Sequence, residues 1–194
     1  MPVRVATRSD LPGLTETLWG AFQEDPLWSW AFPDRRTMKP WWRFLIGSAL
    51  RYPSVFVAGD YTAVSVWIPP GGSELTPREE EQVEPLLAQL VGSRAPEVVE
   101  LMERFESSHP RDRPHHYLSL LGTHPDHRGA GLGMRLLAEN LDQIDELGMP
   151  SYLESSNPRN DARYERLGFE RKGEFSTPDG SRVVATMWRE PHAS

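Results

Sequence analysis

The stretch Tyr117–Gly133, YLSLLGTHPDHRGAGLG, decides how this chain is read. An apolar run with the look of a buried strand meets a turn. An arginine follows, then glycines at alternate positions, then a helical pattern. The centre of the segment is Arg128-Gly129-Ala130-Gly131-Leu132-Gly133. Residues this small let a backbone come close to a ligand. The first turn of a helix carries amide N–H groups without intrahelical acceptors, and a partial positive charge. Together these features make a site for a phosphate or diphosphate.

Three phosphate-binding designs compete for the segment. A P-loop needs GxxxxGK[ST], and no Lys-Ser or Lys-Thr pair follows these glycines. A dinucleotide-binding turn needs a small residue at its sixth position, where this chain has Met134 or Leu136, depending on the starting glycine. The third design is the R/Q-x-x-G-x-G/A turn that holds the coenzyme A diphosphate, and Arg128, Gly131 and Gly133 fit it. At these residues the chain resembles the GNAT superfamily of N-acetyltransferases. THPDHRGAGLGMRLL resembles its acetyl-CoA segment. SYLESSNPRNDARYERLGFE resembles the strand and helix that follow, with Asn157, Tyr164 and Gly168-Phe169 in register. More narrowly, HHYLSLLG, LESS, YERLGFE and the earlier VSVWIPPGG resemble the puromycin N-acetyltransferase group. The likeness is strong over Arg113–Met187 and looser over Met1–Gly72. It is lost in the stretch between, read as a helical insert at 74–112.

Composition bounds the partners. A chain of 194 residues suits one domain with an ample core. Lys and Arg number 21 against 28 Asp and Glu, a net charge of −7, and no basic patch points to nucleic acid. Cysteine is absent, which removes disulfides and any thiol nucleophile. Acyl transfer would then run by direct attack in a ternary complex. No apolar stretch approaches the roughly 18 residues of a membrane span, and MPVRVATRSD has no signal core. The expectation is a cytoplasmic protein, monomer or homodimer, with no membrane partner and no metal.

Along the chain, Val3–Thr7, Ser54–Ala58, Thr62–Ile68, His115–Thr123, Ser151–Ser155, Phe169–Phe175 and Arg182–Arg189 read as strands. Helical patterns run to about Glu24, again to Tyr52, through the insert, from the glycine loop to Gly148, and from Asn157 to Leu167. The acidic run Glu79-Glu80-Glu81 suits a helix N-terminus and reads as a solvated face. The fold class is α/β (α+β): one domain with a mixed central sheet of about six to seven strands flanked by helices. The resemblance implies that this sheet splays at the acetyl-CoA site.

The chemistry then names candidates. An alkyl amine titrates near ~10.4, so about one molecule in a few thousand is neutral at pH 7 and needs a base or a desolvating pocket. Glu154 is read as that base, with His115 or His116 at the head of the central strand as alternatives. Tyr164 matches the family's general-acid tyrosine and would protonate the leaving thiolate. The resemblance puts acetyl-CoA against backbone at Leu121, Gly122 and Thr123 and against Arg128, Gly129, Ala130, Gly131, Leu132, Gly133 and Met134. Tyr164 and Asn157 complete that set, Asn157 reading equally as a helix cap. The aromatic stretch from Trp28 to Phe44 offers an acceptor pocket, with Trp28, Phe32 and Trp67 as substrate contacts, or else simply core. The acceptor is expected to be a primary amine of a small molecule. The alternatives are a protein or peptide amine, or an acyl-CoA sensor without turnover.

Overall fold

The structure, a computed structural model, describes residues 2–192. Seven strands form one sheet: β1 (Val3–Val5), β2 (Val55–Ala58), β3 (Ala63–Ile68), β4 (His116–Thr123), β5 (Ser151–Ser155), β6 (Glu170–Ser176) and β7 (Val183–Arg189). Their order is β1-β2-β3-β4-β5-β7-β6. Among the described residues only the central β4–β5 pair is parallel. A parallel pair needs a crossover, and α6 (Leu132–Glu146) supplies it. This is the mixed, helix-flanked α/β sheet expected from the sequence.

Helices cover both faces. On one lie α1 (Leu11–Phe22), α2 (Pro26–Ala31), α3 (Arg35–Ala49), α4 (Pro77–Val91) and α5 (Ala95–Ser108). Their Leu18, Trp42, Ile46 and Leu101 pack with Val57, Val66 and Leu120 of the sheet. On the other face, Leu137, Leu141 and Ile144 of α6 meet Trp67, Leu118, Leu153 and Met187. With both sides covered, β3 is buried at every residue, as its unbroken run AVSVWI requires. Arg189 on β7 clamps Asp145 of α6 through two 2.6 Å bonds.

Two local departures position the site. First, β4 pairs Leu120 with Val66 but Leu118 with Trp67, so Ser119 is an extra, bulged residue. The bulge sends Leu118 and Leu120 to opposite cores. Second, the segment after Asn157 opens as a short 3-10 turn, Pro158–Asn160, and α7 is only Asp161–Glu165. Glu79, expected on a solvated face, instead closes a capping box with Thr76 at the start of α4 and accepts from Ser48 Oγ at 2.6 Å.

Candidate active site

The glycine loop ends at Gly131, which caps α6 in a left-handed conformation with φ 69°, and no side chain caps that helix. The first intrahelical bond runs from Arg135 N to Gly131 O, so the amides of Leu132, Gly133 and Met134 precede it. Gly129, at φ 86°, and Gly131 both have open space where a Cβ would stand. Gly133 serves packing: a Cβ there would lie 2.6 Å from Thr123 Oγ1. An uncapped helix start, left-handed glycines and clear space fit a diphosphate. Arg128 does something else. Its Nη2 donates to Gly20 O at 3.1 Å and Ala21 O at 3.0 Å, and its Nη1 to Glu24 Oε2 at 3.2 Å. The guanidinium ties the loop to the C-terminal end of α1, where unbonded carbonyls attract a cation.

Upstream of that loop the two parallel strands part. β4 and β5 pair only over His116–Leu118 and Ser151–Leu153, although β4 continues to Thr123 and β5 to Ser155. Backbone polar groups on the facing edges are left for another partner. Leu121 borders the opening. Gly122 instead lets α1 approach, since a Cβ there would meet Ala21 and Leu18 at 2.8 Å. Beside the split lies a cavity of about 1200 Å³, walled by Trp28, Trp42, Phe105, Tyr117, Glu154 and Tyr164 among others.

The cavity gathers acid groups. The Glu154 side chain is 2% exposed, and its Oε1 has no hydrogen-bond partner. Its charge lies against the hydroxyls of Tyr117 and Tyr152. Both are raised, first by burial and then by that carboxylate. Glu74, on the loop between β3 and α4, accepts from Ser119 Oγ at the bulge. Burial pushes the Glu74 carboxyl up to about 7, a direction that the charges of Glu154 and Glu106 reinforce. His109, just past α5, brings Nδ1 to 3.8 Å from Glu154 Oε1. At the far end, Asp25 caps α2 through Leu27 N and Trp28 N and accepts from Ser156 Oγ at 2.8 Å. Tyr164 lines the wall there. Burial, then the charges of Asp25 and Asp161, raise its hydroxyl, which stays protonated.

The expected residues are thus only partly assembled. Tyr164, Glu154 and Trp28 line the cavity. His116 does not: strand alternation turns it to the other face, and the wall takes His115 and Tyr117 instead. Phe32 is a correction, fully buried against Trp28 and Trp41 in the helical core. Trp67 is another. It faces α6 and donates to Asn140 Oδ1 at 3.1 Å, on the opposite side of the sheet. Asn157 accepts from Arg159 N at 3.2 Å, the capping role. Reading the sequence missed Glu74, His109 and Asp25. For Glu74 a signal existed: a carboxylate two residues behind the Pro-Pro-Gly-Gly turn that ends a buried strand.

Comparison with known proteins bears on the fold. Residues 78–169 match the model of the acetyltransferase (GNAT) family. That span takes in α5 and nearly all of α4, the segment read from sequence as an insert beyond the resemblance. The fold recurs in a Corynebacterium glutamicum protein described as histone acetyltransferase HPA2 and related acetyltransferase. The two are 24% identical over 99% of this chain and 97% of that one, with a TM-score of 0.70. Arylalkylamine N-acetyltransferase 2 from Aedes aegypti shares it at 13% identity, over 98% and 99% of the chains, with a TM-score of 0.70. Polyamine N-acetyltransferase from Drosophila melanogaster does so at 16%, over 97% and 99%, with a TM-score of 0.65. The family match covers 92 of the 194 residues, a little under half of the chain, and the solved structures share its fold. No helix among the described residues is long and apolar enough to cross a membrane.

Proposed function

We propose that this chain transfers an acetyl group from acetyl-CoA to a primary amine of a small molecule, by direct attack in a ternary complex. One observation carries the reading. The uncapped start of α6 and the split between β4 and β5 lead into a cavity that holds buried carboxylates at one end and a protonated tyrosine at the other. The amides of Leu132, Gly133 and Met134 hold the diphosphate, and the open edge of β4 near Leu121 takes the arm that carries the thioester. The thioester supplies the acyl group. Glu154, with Glu74 beside it, draws an ammonium into the cavity and accepts its proton, and the neutral amine attacks. Tyr164 gives its proton to the departing sulfur. With no cysteine in the chain, no thiol acyl-enzyme can form.

For the acceptor, the motif likeness to the puromycin N-acetyltransferase group makes an aminonucleoside the first compound to try. The acidic cavity makes a polyamine the second. The test is a thermal shift with acetyl-CoA, followed by thiol release over aminonucleosides, polyamines, arylalkylamines and peptides. A higher melting temperature with acetyl-CoA and amine-dependent release are expected. Saturable binding without release would make the chain a sensor, and no affinity for coenzyme A would end the reading.

A further inference from the structure

Acyl transfer to an ammonium removes two protons from nitrogen. One ends on sulfur by way of Tyr164; the other must leave Glu154, whose side chain is 2% exposed, before the next turnover. The side chains around Glu154 show a route. His115 Nδ1 lies 2.7 Å from the carbonyl of Arg113, which can only accept, so Nδ1 carries the hydrogen. Burial, together with the neighbouring His109, holds His115 below the usual histidine range and therefore neutral, so its Nε2 is a lone pair. That Nε2 is 3.1 Å from His109 Nε2, which must be the donor. With Nε2 as the donor, His109 turns Nδ1 toward Glu154 Oε1, the oxygen without a partner, across 3.8 Å. Two acceptor atoms thus face one another across that gap.

We propose that His109, fixed in one tautomer by His115, takes the reaction's proton from Glu154 and passes it to solvent. The inference rests on the acyltransferase reading. The groups around His109 are Glu154 and Tyr152 from β5, Tyr117 from β4, His115 just ahead of that strand, Glu106 from α5 and Glu74 from the loop. With 27% of its side chain exposed, His109 also reaches water, which Glu154 does not. It acts through Glu154 and so is a relay, not a group that touches the reacting atoms.

Imidazole ¹⁵N NMR on the full chain without ligand tests the arrangement independently of turnover. Hydrogen on Nε2 of His109 and on Nδ1 of His115 is expected, and the reverse pattern overturns the proposal. Kinetically, His109→Ala should lower kcat at least about tenfold, leave KM for acetyl-CoA within about twofold, and recover with imidazole in the buffer. His109→Gln keeps a donor toward His115 but has no basic nitrogen. It should fold normally and stay slow until imidazole is added, whereas a merely structural role would leave it fast. Wild-type kcat and pH profile in His109→Gln, or a loss that imidazole does not restore, defeats the relay alone. No thiol release from the wild type with any amine defeats the acyltransferase reading as well.

Discussion

The two ends of the site are made of different material. At the α6 end the proposed binding groups are backbone, supplied by neighbouring residues Gly129–Met134 and shaped by left-handed glycines. At the cavity end they are side chains from distant segments: Glu74, His109, Tyr117, Glu154 and Tyr164. A backbone site is written locally, because a short run of small residues fixes both conformation and donors. A side-chain site exists only once the sheet, its bulge and the α4–α5 hairpin have come together. The first kind travels with the fold; the second sets what the fold acts on.

The largest effect should come from the cavity end. Glu154→Gln keeps volume and hydrogen bonding but removes the charge, and kcat should fall roughly 10²- to 10⁴-fold with KM for acetyl-CoA unchanged. Steady-state kinetics decides it, and a full-rate variant would move the base to Glu74. Next is the backbone end. Gly131→Val places a branched side chain at φ 69°, a conformation costing about 1–3 kcal/mol, so acetyl-CoA affinity by calorimetry should drop tenfold or more. Arg128→Ala should cost much less in the same titration, because its guanidinium is committed to α1. If that order reverses, the cofactor end is not a backbone site. Tyr164→Phe should reduce turnover at least about tenfold while leaving acetyl-CoA binding intact. Wild-type turnover in that variant removes Tyr164 from the chemistry.

Glu74 carries a pH signature. Its carboxyl is pushed up to about 7 in the folded chain from an ordinary value of 4.5, so the folded state holds a proton that the unfolded state releases. Stability must therefore fall as pH rises from about 4.5 to about 7, and above that the full penalty stands. Glu74→Gln should melt higher than wild type at pH 8, by up to about 3 kcal/mol, with the gap closing by pH 5. The same group should make kcat/KM rise with pH through about 7, a limb that the variant loses. Equal melting at pH 8 would mean that burial is not straining this carboxylate.

What could be read beforehand follows the same division. The strands, α6 and the phosphate turn were legible because apolar period and glycine spacing are local properties. Tyr164 and Glu154, singled out through the phrases that carry them, both reach the cavity wall. Ser119 gave no sign of its bulge, since a serine within YLSLLGT alternates as well as any residue, and the shift arises from pairing with β3. His109 sits in a polar stretch whose one local cue is the end of a helix; its partners lie on β4 and β5.

The aromatic residues give the smallest effect and the sharpest separation of core from pocket. The aromatic stretch offered Trp28 and Phe32 as acceptor contacts and VSVWIPPGG offered Trp67 near the pocket mouth, yet of the three only Trp28 reaches the cavity wall. Trp67 packs under α6, where its indole N–H shares Asn140 Oδ1 with Ser65 Oγ. Trp67→Phe removes one of two donors to that oxygen and some buried ring area. A loss of about 1–2 kcal/mol in denaturant melts is expected, with KM for the amine within about twofold of wild type. Trp28→Ala should raise the amine KM while leaving acetyl-CoA affinity alone. A change in amine KM at Trp67 as large as that at Trp28 would mean the pocket wall extends through the sheet, which the pairing of β3 with β4 at Trp67 and Leu118 does not allow.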